Sequence, residues 1–453
     1  MTVRPYSLKG EITIFLALIL SVVIGLLSVL IESAKVQAIR LNLEGIMDMS
    51  LHSCFGEYNQ ELLRRYDLIF VDSSYRGSKE PGIDSIILHL SEYLMENSEL
   101  SVGRSHGDWY KEALVDVKAD KYMLATDNEV FRNQAVEYIK EYGKVQYLPS
   151  MQENNRKLFA IKKQAFMAEW DKILDKINAF GIPLINPGKL VREMIVSDKE
   201  FLSGIELRKA ECSNCVSKRA LEKGKYDSKH VKNMDYSFFP EYCMQKFGCI
   251  QNKIGEQVLN GELEYLIYGL SSDEENLCEV IDFLLEKRES DNLACIKNNP
   301  AYIASAEALA LSVVGEYLNP SLIKLVRDSI IYAWAYAEAA LDVSRLISGG
   351  RCQIQKSSQD IELSVVELTK FRNRLHQKGG SGADYKDYIG AMLIDVKDSD
   401  LKYRSMDIIE FNIRAFSNDK FKMDGLFNYL SAEAGFESGY GYSHSIKRDY
   451  IYE

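Results

Sequence analysis

Ile12–Ile31 reads ITIFLALILSVVIGLLSVLI, and its only polar side chains are the hydroxyls of Thr13, Ser21 and Ser28. As a helix rising about 1.5 Å per residue, the stretch covers the ~30 Å hydrocarbon core of a bilayer, with every backbone hydrogen bond closed internally. It therefore reads as a membrane span. A buried core helix is usually shorter and keeps a polar stripe. A cleaved secretory signal has an apolar core of roughly 7–15 residues and then small residues at the cut. Here the run is longer, and Glu32 stands two residues before Ala34. The flanks set the direction. Arg4, Lys9 and the amino terminus precede the span against Glu11 alone, whereas Glu32, Lys35, Arg40, Glu44 and Asp48 follow it. Positive charge stays in the cytoplasm, so we expect a cytoplasmic tail over 1–11, the span over 12–31 and the rest outside the cell membrane.

Past the span, an apolar stripe continues through Val36, Ile39, Leu43, Met47, Cys54, Tyr58 and Leu62 at helical spacing, with no proline between Pro5 and Pro81. This predicts one helix from about residue 12 to 64, with residues 32–65 as its juxtamembrane part and Gly45 and Gly56 as bending points. The chain has 453 residues, 46% of them hydrophobic, which is enough for sizeable cores. Its net charge is −11, and its lysines and arginines are scattered. That argues against a nucleic-acid partner and against a polybasic lipid patch. Eight prolines in such a length lean helical.

Tyr66–Asp72, YDLIFVD, reads as a buried strand, Ile83–Leu94 as an amphipathic helix, and Ala113–Thr126 as two short strands or one bent one. A helix is predicted over Val130–Tyr142. A longer one, about Asn154–Phe180, carries Phe159, Phe166, Trp170, Ile173 and Ile177 on one face and ends at Pro183 and Pro187. We place a boundary there, between a mixed α/β part (66–187) and a mostly helical part (188–453). Ser272 and Glu275 form a capping box ahead of Leu277, Val280, Ile281, Leu284 and Leu285. Asn319 and Pro320 open a helix whose buried side holds Leu322, Val326, Ile330, Ala333, Trp334 and Leu341, stopped by Gly349 and Gly350. A helix over Tyr385–Ile394, the stretch MDIIEFNIRAF and a Tyr/Gly-rich tail close the chain. The fold class expected is mainly α (α+β): a long N-terminal transmembrane helix continuing into a largely helical extracellular head, with a few short strands near residues 66–126.

Chemistry is sparse. Cys212, Cys215, Cys243 and Cys249 are the metal candidates. Four thiolates would hold zinc tetrahedrally, but the second pair is separated by five residues instead of two to four, so disulfides and unlinked thiols stay open. Apart from that zinc, no cofactor is expected. Asp72-Ser73-Ser74 follows an apolar strand like the metal-chelating D-x-S-x-S loop of adhesion domains, yet Arg76 stands where a second serine is needed. Glu262 and Glu264, two apart on a helix, point to different faces. Ser321-x-x-Lys324 stands without the companion motifs of its chemistry. There is no P-loop, G-x-G-x-x-G, G-x-S-x-G or H-E-x-x-H, and the six histidines are isolated from one another. No enzyme is expected. In the span, Thr13, Ala17, Ser21, Gly25 and Ser28 recur every three or four residues, a small-residue stripe of the kind that lets helices pack in lipid.

SLKGEITIFLALILSVVIGLLSVLIESAKVQAIR, ELLRRYDLIFVDSSY, NEVFRNQAVEYIKEYG, GELEYLIYGLSSDEENL, IIYAWAYAEAALDVSRLISGG and YRSMDIIEFNIR occur in this order. Together they resemble a family of membrane-anchored proteins from Gram-positive bacteria, a domain of unknown function. The resemblance implies a context. Such proteins accompany Tad (Flp-type) pilus assembly systems, and their N-terminus is similar to the TadE/TadG-like minor pseudopilins. Pilin-like N-termini are processed after a glycine, usually with Glu five residues beyond it. Gly10 supplies the glycine, but Glu11 follows at once and Phe15 holds the fifth position. The expected function is a non-enzymatic envelope protein, an accessory or minor pseudopilin-like component of such a pilus or secretion apparatus. Its partners would be the bilayer and other pilus or secretion-system proteins. The alternatives are an extracellular binding or adhesion module and a surface hydrolase.

Overall fold

A single helix, α1 (Lys9–Gly56), carries the chain from the apolar span into the head. Its 48 residues make it about 72 Å long. The computed structural model describes residues 9–102, 112–143, 164, 198–210, 213–227, 234–317, 319–438 and 441–452. The apolar window near the N-terminus is long enough to cross a membrane, and none of it is buried against the chain. From Ile39 the helix enters the head, and Ile39, Leu43, Ile46, Met47, Leu51, Cys54 and Phe55 are buried. Ile39, Leu43, Met47 and Cys54 of the predicted stripe thus form the buried face, whereas Val36 is half-buried and Tyr58 is exposed past the helix end. The helix stops at Gly56 and not at 64. Asn59 breaks it, because its side chain accepts the Leu62 N–H at 2.9 Å and caps a new helix, α2 (Gln60–Tyr66).

Of the expected strand over Tyr66–Asp72, only β1 (Val71–Asp72) forms. Leu68 and Phe70 are buried as their apolar character requires, but their neighbourhood bonds elsewhere. The Phe70 carbonyl accepts from Asn59, and the Ile69 N–H donates to the Gln134 side chain. α3 (Ile83–Val102) runs back along α1, as the pairs His89–Glu57 and Asn97–Ser50 show. β2 (Glu112–Leu124) is one bent strand with three register shifts. α4 (Val130–Tyr142) has the predicted bounds. The predicted helix of Phe159, Phe166, Trp170, Ile173 and Ile177, with Pro183 and Pro187, lies outside the described residues.

The second half is built of α5 (Phe239–Lys246), α6 (Glu262–Tyr268), α7 (Asp273–Lys297), α8 (Pro300–Val314), α9 (Pro320–Ile347), α10 (Tyr385–Leu393) and α11 (Asp398–Phe416). Ser272, Asn299, Asn319 and Asp384 each cap the helix that follows with a side-chain acceptor. α7 and α9 pack around Trp334, whose indole N–H donates to the Leu363 carbonyl at 2.9 Å. Between them lies a buried, charge-balanced cluster of Arg288, Lys356, Asp342 and Glu338.

The chain then returns to the stalk. β3 (Leu426–Ser438) is the central strand, with β2 antiparallel on one side. β4 (Ser443–Ile451) and β1 share its other side, end to end. This hairpin was not expected from the sequence, which reads as a tail there. The sheet, α3 and α1 enclose one core, while the helices enclose a second, larger one. Mainly α with a small sheet and an N-terminal apolar helix is the architecture observed.

Candidate functional site

Where α1 ends, the chain turns through Glu57, Tyr58 and Asn59, and this turn forms one wall of a cleft of about 710 Å³. Asp72, Tyr75, Arg76, His89 and Asn418 line the rest. Its floor is Asp72, buried although charged. One carboxylate oxygen accepts the Ser74 N–H (2.9 Å) and hydroxyl (2.7 Å). The other accepts the side-chain amides of Asn59 (3.1 Å) and Asn418 (3.0 Å). Four donors from three elements satisfy both oxygens, which makes burial of this group tolerable. Asp72 is thus committed to fixing the cleft wall. That is the role the structure gives the Asp72-Ser73-Ser74 motif.

The opposite lip is a backbone anomaly. Tyr75 (φ 46°), Arg76 (φ 58°) and Gly77 (φ 82°) are successive left-handed residues. Glycine takes this conformation freely; each of the other two is strained by about 1–2 kcal/mol. The packing that enforces it is visible. The Tyr75 ring lies 4.2 Å from the His89 ring, and its hydroxyl faces Cys54 Sγ at 3.8 Å. Burial pushes the Tyr75 hydroxyl up and the Cys54 thiol up to about 11. Both stay protonated at neutral pH. Arg76, by contrast, is exposed at the rim. His89 sits between two carboxylates, Nε2 2.6 Å from Glu57 and Nδ1 3.0 Å from Glu92, and Glu57 also accepts the Tyr93 hydroxyl at 2.7 Å. The His89 hydrogen bond holds the Glu92 carboxyl below its usual range. The cleft offers a carboxylate–imidazole pair, Glu57 and His89, and an exposed guanidinium, Arg76, among its lining residues. Such an arrangement suits recognition of a polar group.

Other predicted residues lie apart from it. Thr13, Ala17, Ser21, Gly25 and Ser28 lie on the exposed part of α1; the Ser21 and Ser28 hydroxyls donate to the Leu18 and Ile24 carbonyls, both at 2.8 Å. Gly10 lies in the first turn of the same helix. Cys212 lies outside the described residues. Cys215, Cys243 and Cys249 are buried, with Cys215 3.3 Å from the Ser217 hydroxyl and Cys243 3.5 Å from that of Ser405. Burial pushes the Cys243 and Cys249 thiols up to about 12. Among the described residues no group of three or more His, Cys, Asp or Glu is placed to hold a metal ion. Ser321 and Lys324 are exposed on the first turn of α9.

Glu262 and Glu264 are buried, and they face apart as their spacing requires. Glu262 accepts from Gly248 N–H, Gln257 and Asn412, while Glu264 accepts from Ile250 N–H and the Tyr385 hydroxyl. Together with Asp273, which takes the N–H groups of Asn260 and Gly261, they pin the loop between Gly248 and Gly261. Burial raises both glutamates to about 7. Sequence reading missed the cleft itself, since Glu57, His89 and Asn418 are far apart in the chain and no local pattern links them.

Residues 188–438 match the profile of a family of unknown function (DUF5702). The chain belongs to that family. The DUF5702 region opens before α5 and ends with the last residue of β3, so it contributes Asn418 to the cleft, while α1, β1 and α3 lie before it. Neither a curated protein nor a solved structure matches the chain.

Proposed function

We propose that the protein is a non-enzymatic, single-pass envelope component with its N-terminus in the cytoplasm and its head outside. In this reading it is an accessory or minor pseudopilin-like part of a Tad/Flp-type pilus or secretion apparatus. One observation carries the proposal: α1 is a single helix whose first half is exposed and apolar and whose second half is the core of the head. A tether needs only a span and a loose linker. A helix that is rigid from bilayer to head suits a subunit that must hold its head in register with neighbours. The resemblance of the N-terminus to TadE/TadG-like proteins supports the pilus context. The cleft at the end of α1 favours a second reading, an extracellular binding module.

The test is recovery from native membranes of the tagged full chain and of a chain in which Ile12–Ile31 is replaced by an unrelated span of equal length. We expect pilus or secretion-platform proteins with the first and their loss with the second. Absence of such proteins from both samples would remove the apparatus reading and leave the binding module.

A further inference from the structure

The hairpin of β3 and β4 can be placed against α1 by two independent rulers. Its tip residue Tyr442 donates its hydroxyl to Glu32 at 2.8 Å. Glu32 is the first charged residue after the span. Higher up, Arg448 reaches Glu44 and Asp48, Tyr450 packs on His52 and Phe55, and the Tyr452 hydroxyl donates to the Phe55 carbonyl. From Tyr442 to Arg448 a strand rises about 20 Å. From Glu32 to midway between Glu44 and Asp48 a helix rises about 21 Å. The two agree, so β4 climbs beside α1 in the same direction, and its start lies at the level where the apolar span ends. The head first buries α1 at Ile39, about 12 Å above Ile31. The hairpin descends past that point.

What it carries down fits the destination. Tyr442 is 38% exposed, with an apolar ring and one polar tip, the type of side chain favoured at the headgroup level. Beside this end of the hairpin, the register shift between Leu114 and Asp116 leaves Val115 outside the ladder of β2 and 64% exposed. Among the described residues, the cations nearest this end are already paired. Lys35 pairs with Glu32, and Lys118 pairs with Asp116. The patch is therefore amphipathic, with Glu437 exposed opposite Ser443 and no unpaired cation among its described residues, so it makes no demand for anionic lipid.

We propose that the β3–β4 tip is a second membrane contact, with Tyr442 seated among lipid headgroups beside the emerging stalk. This rests on the reading of Ile12–Ile31 as a span. It gives the head a fixed tilt on the membrane, since two contacts define an orientation where one leaves it free.

The experiment places tryptophan at the tip of the full chain (Tyr442→Trp and, separately, Ser443→Trp). The proteins are reconstituted in neutral phosphatidylcholine vesicles whose acyl chains are brominated near the headgroup. Tyr58→Trp, in the turn just past the far end of α1, is the control, and the unsubstituted protein gives the background from native tryptophans. Flotation of the same samples reports insertion. The inference expects emission to be lost to bromolipid at 442 and 443, with none lost at 58, and the loss not to grow when anionic lipid is added. Chains that float while 442 and 443 emit as strongly as in unbrominated vesicles would overturn the tip contact and leave the span intact. Chains that fail to float would overturn both.

Discussion

Arg448 holds Asp48 across the whole length of the sequence, Nε to Oδ1 at 3.1 Å, and so ties the last strand to the stalk helix. Its other nitrogen lies 2.8 Å from Glu44. Asp48 is about half exposed and solvent reaches both pairs, so the electrostatic share is small. The apolar share is larger, because Ile446, Tyr450 and Tyr452 cover α1 and β3. Arg448→Ala should therefore lower the melting temperature only slightly. A chain ending before Ser443 should lose cooperative unfolding of the sheet altogether. Thermal unfolding of both in detergent decides it, and equal losses would show that charge, not packing, fastens the strand.

The buried cluster behaves oppositely. Arg288 donates two bonds to Asp342, which also receives Lys356. Burial alone would raise the Asp342 carboxyl, but the Arg288 and Lys356 charges outweigh it and hold the group low. Asp342→Ala leaves two buried cations facing Glu338 alone and should cost about 3–5 kcal/mol. Denaturant titration checks this. A loss below about 1 kcal/mol would mean that water reaches the site.

Glu262 and Glu264 give a pH signature. Their folded values, about 7, lie above the ordinary 4.5, so the folded state holds more protons between those limits. Stability contributed by these groups is then full at low pH, falls as pH rises from about 4.5 to 7, and is level beyond. Glu264→Gln keeps the acceptor for Ile250 and Tyr385, since its other oxygen has no hydrogen-bond partner among the described residues. The substitution should remove about half of that slope, a relative gain on the order of 3 kcal/mol at pH 7. Unfolding curves at pH 5 and pH 7.5 measure it, and parallel pH profiles for the two proteins would contradict it.

The strained lip makes the last prediction. Arg76 carries φ 58° without an ion pair among the described residues. Arg76→Gly should leave stability unchanged or raise it by up to about 1 kcal/mol, because glycine removes the strain at some cost in chain entropy. A melting temperature lowered by several degrees would instead assign the guanidinium a structural contact.

The stalk was legible because a single period, 3.6 residues, runs from the span to Phe55 and burial follows it. Helices α4, α7 and α9 were legible for the same reason, sharpened by Ser272, Asn319 and Pro320. The β3–β4 hairpin was not. LFNYLSAEAGFES contains no β-branched residue, and its small side chains pack under α1 and β2, a reason visible only once those partners are present. The end of α1 was missed because Asn59, an ordinary polar residue in sequence, becomes a cap through the position of Leu62. The cleft was illegible on principle: His89 means little until Glu57 and Glu92 are brought to its two nitrogens.

A helix without a break between lipid and head also fixes a phase. Along α1 each residue turns the chain by about 100° and lifts it by about 1.5 Å. The azimuth of the Ala17–Ser21–Gly25 face is thereby locked to the azimuth of the cleft and of the hairpin. One residue inserted between Ile31 and Ile39 would swing the entire head a quarter-turn or more around the stalk while leaving the span and the head each intact. Neighbours that grip both ends of such a rod have to agree on its rotation.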